Sequence, residues 1–274
     1  MTNVVLMAGS GKRFSDAGYK QSKPLIPVSG KAMIIQAVKS MPKADKWVFV
    51  IREEHQKEQE VLDTLKSVAK NVTILVDPKP IGQLNSALVA KKYYNNDEPL
   101  FVGACDLGMI WDEKEYNKLM KSNADMITWS FTQQPNLTRN PQAWGWLKQD
   151  ENKKIHGVSV KIPLHEDCFN DFAIVGSFTF KSGKLFLQLA KELIKRGETV
   201  KGEYYIDSMI GVAIDQGKKV MSFPVKKYIG WGVPADYEEY CAWEKVIPNI
   251  KNHPEWKQKK EFTFWNEYFT KDKK

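Results

Sequence analysis

Residues 3–13 read Asn3-Val4-Val5-Leu6-Met7-Ala8-Gly9-Ser10-Gly11-Lys12-Arg13, and the chain continues through Lys23-Pro24-Leu25-Ile26-Pro27-Val28 to Gly30-Lys31. Asn3–Met7 is a short apolar run that breaks into glycine, which predicts a buried strand entering a tight loop. Such a loop can bring backbone N–H groups against phosphate oxygens, and the cations inside it add charge. Arg13 offers a planar fork for phosphate and Lys23 a mobile point charge. Pro24 and Pro27 stiffen the segment that presents Lys23. Met7, Ala8, Gly9, Ser10, Gly11 and Lys12 are therefore candidates for holding the phosphates of a nucleotide. Two other phosphate motifs are excluded. A Walker A loop needs wider glycine spacing and a hydroxyl residue after its lysine, but here Arg13 follows Lys12. A dinucleotide fingerprint needs a third glycine, at a position occupied by Phe14.

Outward from this stretch, Met33, Ile34, Ala37, Val38 and Met41 recur at helical spacing. The pattern then predicts strands at Trp47–Ile51, Val72–Val76 and Pro99–Ala104, alternating with helices at Glu53–Ala69 and Leu84–Tyr94. Alternation of this kind builds parallel βαβ units with ligands at the carboxyl ends of the strands, where the glycine loop and Asp106 both fall. After about residue 125 the pattern changes. Met126–Thr132, Ala143–Leu147, Ile155–Lys161 and Phe172–Lys181 are strand-like with no long helix between them. Helix-like Lys184–Arg196 and Glu203–Gln216 and a strand at Lys219–Val225 follow. The expectation is an α/β fold with one mixed sheet and one domain over residues 1–250. Its halves would be residues 1–124 and 125–250, with a basic aromatic tail at residues 251–274.

In 274 residues, 42% are hydrophobic, enough for a sizeable core. No stretch reaches the length of a membrane span, and the first residues lack the basic flank of a signal peptide. Cys105, Cys168 and Cys241 form neither a disulfide framework nor a zinc spacing, so a soluble cytoplasmic protein is expected. The net charge of +8 is concentrated in residues 1–31 and in the tail. Because the first cluster sits in a glycine loop rather than along a helix, a small polyphosphate suits it better than nucleic acid. The tail, with Trp256, Phe262, Phe264, Trp265, Tyr268 and Phe269 among lysines, reads as a helix docking on its own domain. A contact between copies and a membrane-surface helix are the alternatives.

The glycine loop, the Lys23-Pro24-Leu25 segment and Gly30-Lys31-Ala32-Met33 together resemble the nucleotidyltransferase (nucleotide-sugar pyrophosphorylase) family. Members of that family open with a strand, Gly-x-Gly-x-Arg, Lys-Pro-Leu and Gly-Lys-Pro-Met, and the resemblance runs through most of residues 1–247. It implies a Rossmann-like mixed-sheet fold of the GT-A-like kind. It also implies Mg²⁺-dependent transfer of a nucleoside monophosphate from a triphosphate to a phosphorylated acceptor, with release of pyrophosphate. On the same resemblance Arg13 and Lys23 are the catalytic cations, and Gly82, Gln83 and Ser86 belong to a base-recognition loop. Asp106 is the metal-binding aspartate, and Gly145, Lys161 and Glu203 line the acceptor.

The chain departs from the family pattern at two places. Val160 stands where glucose-type enzymes carry a glutamate that contacts sugar hydroxyls. Gly230, in Gly230-Trp231-Gly232-Val233-Pro234-Ala235-Asp236, replaces an aspartate that is a second metal ligand in many members. Three outcomes follow: Asp106 works with phosphates and water alone, Asp207 or Asp236 substitutes, or activity has been lost. A sugar 1-phosphate destined for capsule or other surface polysaccharide is the first expectation for the acceptor. A small non-sugar phosphate, such as phosphocholine or a phosphorylated amide, is the second, with Trp144, Trp146 and Trp231 as an aromatic box for a cationic head. Rival classes are a glycosyltransferase, which would normally carry Asp-x-Asp where this chain has Cys105-Asp106-Leu107-Gly108, and a catalytically silent nucleotide-binding subunit.

Overall fold

The computed structural model of the protein describes residues 1–250, 254–256 and 258–272. The strands in chain order are β1 (Thr2–Met7), β2 (Pro27–Val28), β3 (Lys31–Ala32), β4 (Lys46–Ile51), β5 (Val72–Val76), β6 (Leu100–Ala104) and β7 (Leu107–Ile110). They continue with β8 (Met126–Phe131), β9 (Gly145–Gln149), β10 (Ile155–Val160), β11 (Phe172–Phe180), β12 (Val220–Pro224) and β13 (Lys227–Gly230).

The apolar run at residues 3–7 forms the centre of the main sheet. β1 pairs in parallel with β4 on one side, Val4 opposite Val48, and with β6 on the other, Val4 opposite Val102. β5 extends the parallel half beyond β4, and β11 crosses antiparallel to β6. Beyond β11 the sheet branches, to β9 and β10 in one direction and to β8 and β12 in the other. β11 serves both branches because it bends at Gly176, whose φ of +88° lies in the left-handed region that glycine tolerates. The expected mixed, partly antiparallel extension after residue 125 is thus present.

Alternation along β1 and β4 sorts the core into two layers. Val5, Phe49 and Ile51 face a layer completed by the helices at Met33–Lys39 and Pro234–Ile250. Val4, Val48 and Val50 face a layer completed by the helices at Gln83–Val89, Gly183–Arg196 and Met209–Asp215. Each fully buried large aliphatic or aromatic side chain in these layers is worth about 1.5–3 kcal/mol relative to exposure.

Several expected elements differ in extent. The helix expected at Glu53–Ala69 is two pieces, Glu53–Gln56 and Gln59–Lys66, and that at Leu84–Tyr94 is Gln83–Val89 followed by Lys91–Tyr94. The strand expected from Ala143 begins at Gly145, because Pro141–Ala143 forms a 3-10 turn. The helix expected from Glu203 is confined to Met209–Asp215. Glu203 instead exchanges both backbone hydrogen bonds with Val200, around a turn in which Lys201 and Gly202 have φ of +52° and +81°.

Part of the tail, residues 251–253, 257, 273 and 274, lies outside the described residues. The described part docks on the chain itself: Phe262, Trp265 and Tyr268 are buried, and Trp265 sets its edge against Tyr240 at 5.8 Å. Among the described residues no helix is long and apolar enough to cross a membrane.

Gly183 shows how closely the second layer is packed. A Cβ there would lie 1.6 Å from the Tyr94 carbonyl oxygen, so backbone would have to move. Gly183→Ala is expected to lower stability by about 1–3 kcal/mol or more, read as a shifted urea midpoint. An unshifted midpoint would contradict this contact.

Candidate functional site

The carboxyl ends of the parallel strands lie along one edge of the sheet, and two cavities open there. The glycine loop follows β1 directly. Gly11 adopts φ +63° and leads into the short helix Lys12–Asp16. A Cβ on Gly11 would stand in ordinary contact with Lys23 Cβ at 3.5 Å, so it is the left-handed φ and not space that favours glycine where the loop meets the Lys23 segment. Lys23 begins the 3-10 turn Lys23–Leu25. The β2–β3 hairpin behind it turns through Ser29 and Gly30 at φ +49° and +73°, a two-residue connection of the kind that needs left-handed φ.

Lys23 reaches across to Asp106, which lies between β6 and β7, and its Nζ donates a hydrogen bond to Asp106 Oδ2 at 2.5 Å. Burial pulls the Lys23 ammonium down, but the Asp106 carboxylate more than offsets this and its pKa is raised. Lys23 therefore stays charged. Asp106 is held from a second side. Its carbonyl accepts from Trp231 N–H at 2.8 Å, and a Cβ on Gly232 would lie only 3.0 Å from Oδ2.

The first cavity, about 450 Å³, is lined by residues from Leu6 to Gly11, by Gly82, Gln83 and Ser86, and by Glu203. Met7, Ala8, Gly9, Ser10, Gly11, Gly82, Gln83 and Ser86 thus come together as one wall. Ser86 is buried and donates to Asp77 Oδ2 at 2.6 Å, which fixes the start of the helix that carries Gln83. Gly82 has φ +133°, and a Cβ there would approach Glu203 Cβ at 3.3 Å, so the two loops close on each other. Glu203 accordingly lies on this cavity and not on the second.

The second cavity, about 840 Å³, shares Gly9, Ser10, Gly11, Lys23 and Asp106 with the first. Lys12, Arg13 and Arg139 bring positive charge to it, and Asp236 and Asp16 bring negative charge. Arg139 is held by a two-pronged pair with Glu239. Burial raises the Asp236 carboxyl, assisted by Glu239. Trp144 and Tyr228 form an aromatic wall, edge to face at 5.5 Å. Arg139, Asn136, Asn140 and Tyr228 escaped the sequence reading. The polar stretch Asn136-Leu137-Thr138-Arg139-Asn140 carried no motif, and Tyr228 stands two residues before the glycine that drew attention.

The expected box of three tryptophans does not form. Trp146 is fully buried with its Nε1 donating to the Pro141 carbonyl, and Trp231 is 2% exposed, packed over the bare Gly108. Only Trp144 faces the cavity. Gly145 and Lys161 line neither cavity. Lys161, at φ +63°, donates through Nζ to the Ala143 carbonyl, and a Cβ on Gly145 would collide with Asp207 Oδ2 at 2.5 Å. Asp207 is buried against that glycine, so of the two substitute carboxylates only Asp236 shares a cavity with Asp106.

Among the described residues no three His, Cys, Asp or Glu side chains cluster as a metal site. The residues nevertheless fit Mg²⁺, which commonly takes only one or two protein carboxylates and completes its shell with phosphate and water. Asp106 is partly exposed and borders both cavities.

The sequence profile of the nucleotidyl transferase family matches residues 2–257. The chain belongs to the nucleotidyl transferase family. This nucleotidyl transferase is 26% identical over 262 residues to the bifunctional protein GlmU of Clostridium kluyveri, aligning 91% of its own length with 52% of that relative. It therefore spans about half the length of the curated relatives it matches. Its fold is that of a nucleoside-diphosphate-sugar pyrophosphorylase from Vibrio cholerae, with TM-score 0.71, 18% identity, and 88% and 99% of the two chains covered. An inositol-1-phosphate CTP transferase from T. maritima shares it at TM-score 0.65 and 17% identity, with 92% and 96% covered.

Burial pushes the Asp207 carboxyl up to about 6, with Lys161 pulling the other way. Its pKa is then higher folded than unfolded, so the folded state holds the extra proton between about pH 4 and 6. Stability contributed by this group is present at the acid end and lost as pH rises through that window, by up to roughly 3 kcal/mol. In Asp207→Asn the melting temperature relative to the parent should rise as pH goes from about 4.5 to 7.5. A difference that stays flat would contradict the buried ionisation.

Proposed function

We propose that the protein transfers a nucleoside monophosphate from a nucleoside triphosphate to the phosphate of a small acceptor, releasing pyrophosphate. A sugar 1-phosphate is the first acceptor class, and the product feeds capsule or other surface-polysaccharide synthesis in the cytoplasm. The observation that carries this reading is the meeting of two cavities at the Lys23–Asp106 pair, beneath a glycine loop that both share. One cavity suits a nucleotide and the other a second phosphate-bearing molecule. On this reading the NTP half is residues 1–124 and the acceptor half residues 125–250.

The attack is an in-line displacement at the α-phosphorus by an acceptor phosphate oxygen. No protein nucleophile is needed, so the chain's task is to orient the two phosphates and offset their repulsion. Gln83, which offers both a donor and an acceptor, reads the base beside Gly82 and Ser86. Backbone from Met7 to Lys12 cradles the triphosphate. Arg13 and Lys23 bind the charge that develops on the α-phosphate and the departing pyrophosphate. Asp106 would hold Mg²⁺, which when bound supplies charge neutralisation between the phosphates. Of the three residues expected on the acceptor side, Glu203 closes the nucleotide cavity instead, and Gly145 and Lys161 act from behind the cavities. Gly145 leaves room for Asp207, which faces Lys161, and Glu203 closes over Gly82.

A second reading, a small non-sugar phosphate, is favoured by Val160, which cannot hydrogen-bond a sugar hydroxyl, and by the wall of Trp144 and Tyr228. Pyrophosphate release from each of the four NTPs with glucose 1-phosphate, inositol 1-phosphate or phosphocholine separates the two. Release that needs no phosphorylated acceptor would overturn both.

Arg13→Ala and Lys23→Ala should each lower turnover by roughly 10²–10³-fold while the fold stays intact, as read by circular dichroism. Near-parental turnover in both would refute their assignment. Chelation with EDTA should abolish turnover and added Mg²⁺ should restore it.

A further inference from the structure

On the resemblance drawn from the sequence, Gly230 stands where many members of the family carry an aspartate, and the space beside it is filled. A Cβ built on Gly230 would stand 3.1 Å from the Tyr228 hydroxyl oxygen and 3.2 Å from its ring. The end of the phenol therefore lies where a side chain at 230 would begin. The two residues belong to β13, which pairs antiparallel with β7, Gly230 opposite Leu107 and so immediately after Asp106. The phenol is well fixed. Its ring stacks on Phe131 at 4.5 Å with 14° between planes and takes the edge of Trp144, and its backbone N–H donates to Gln134 Oε1 at 3.1 Å. Tyr228, Asp106 and Asp236 line the same cavity, and among the described residues the Tyr228 hydroxyl has no hydrogen-bond partner.

A fixed phenol whose hydroxyl is unpartnered, at the edge of a cavity that also holds Arg13 and Lys23, is more than filling. We propose that Tyr228 takes over the acceptor-side position vacated at residue 230, its hydroxyl donating a hydrogen bond to the acceptor phosphate beside Asp106. This rests on the nucleotide-transfer reading above. Exchanging an anionic carboxylate for a neutral donor changes the local chemistry in a definite direction. A third carboxylate would repel the second phosphate that must enter, whereas a hydroxyl binds it. Burial, reinforced by Asp106 and Asp236, raises the phenol's pKa, so the proton it donates stays in place. Gly230 is then a requirement of the tyrosine, not a lost ligand.

The test is a double-mutant cycle. Tyr228→Phe keeps the stack on Phe131 and removes only the hydroxyl. It should lower kcat/KM for the acceptor roughly 10–100-fold while leaving KM for the NTP within about two-fold of the parent. Gly230→Ala, which pushes against the hydroxyl, should show the same one-sided loss. In the Tyr228→Phe background it should cost less than about two-fold more. Melting curves check that each variant folds. Parental kinetics in Tyr228→Phe, or losses shared equally by both substrates, would overturn the proposal.

If no acceptor yields pyrophosphate, the nucleotide-transfer reading fails separately. Tyr228 is then judged by titrating inorganic phosphate against tryptophan fluorescence, where Trp144 reports on the cavity. The parent should bind roughly tenfold more tightly than Tyr228→Phe, and equal binding overturns the proposal.

Discussion

The contact between the Lys23 ammonium and the Asp106 carboxylate joins two segments that are remote in sequence and belong to different parts of the sheet edge. An ammonium so largely withdrawn from water is tolerable only because an opposite charge sits against it. Once that pair is fixed, the rest of the edge follows. Gly11 supplies the left-handed turn that leads the loop past Lys23, and Gly232 must be bare so that the loop after β13 can close on Asp106. The two cavities share this pair as their common wall, so a change in either partner is felt by both.

The supporting layers hold this edge rigid in complementary ways. At the first cavity a buried hydroxyl–carboxylate contact, Ser86 to Asp77, ties the Gln83 helix to the end of β5. At the second cavity the ties are aromatic: Phe131, Tyr228 and Trp144 interlock, and Arg139 is pinned to the long helix by Glu239. Polar ties fix direction, whereas stacked rings fix depth and leave the polar tip of Tyr228 exposed to the cavity.

Much of this was legible in the chain itself. The parallel half was plain because Asn3–Met7, Trp47–Ile51 and Val72–Val76 are apolar runs bounded by turn residues, and the glycine loop announced itself by spacing. The antiparallel half was harder. Nothing local in Phe172–Phe180 says that one strand will serve three neighbours, a property of sheet geometry and of the bend at Gly176. The tryptophans misled because composition cannot distinguish a ring facing a cavity from one in the core. Trp144 and Trp146 differ only in that one precedes β9 and the other lies within it. Tyr228 was invisible for a related reason: its significance comes from what Gly230 lacks, and a missing side chain has no pattern in sequence.

The arrangement of β1 also bears on how the molecule assembles. Its two hydrogen-bonding neighbours come from residues 46–51 and 100–104, and the strand that flanks the second of these ends at Phe180. Val4 and Val5 are therefore flanked on both sides only when residues 46–51 and 100–104 have both come into place. The centre of the sheet thus depends on contacts distant in the chain, which raises the contact order of the fold and slows its folding.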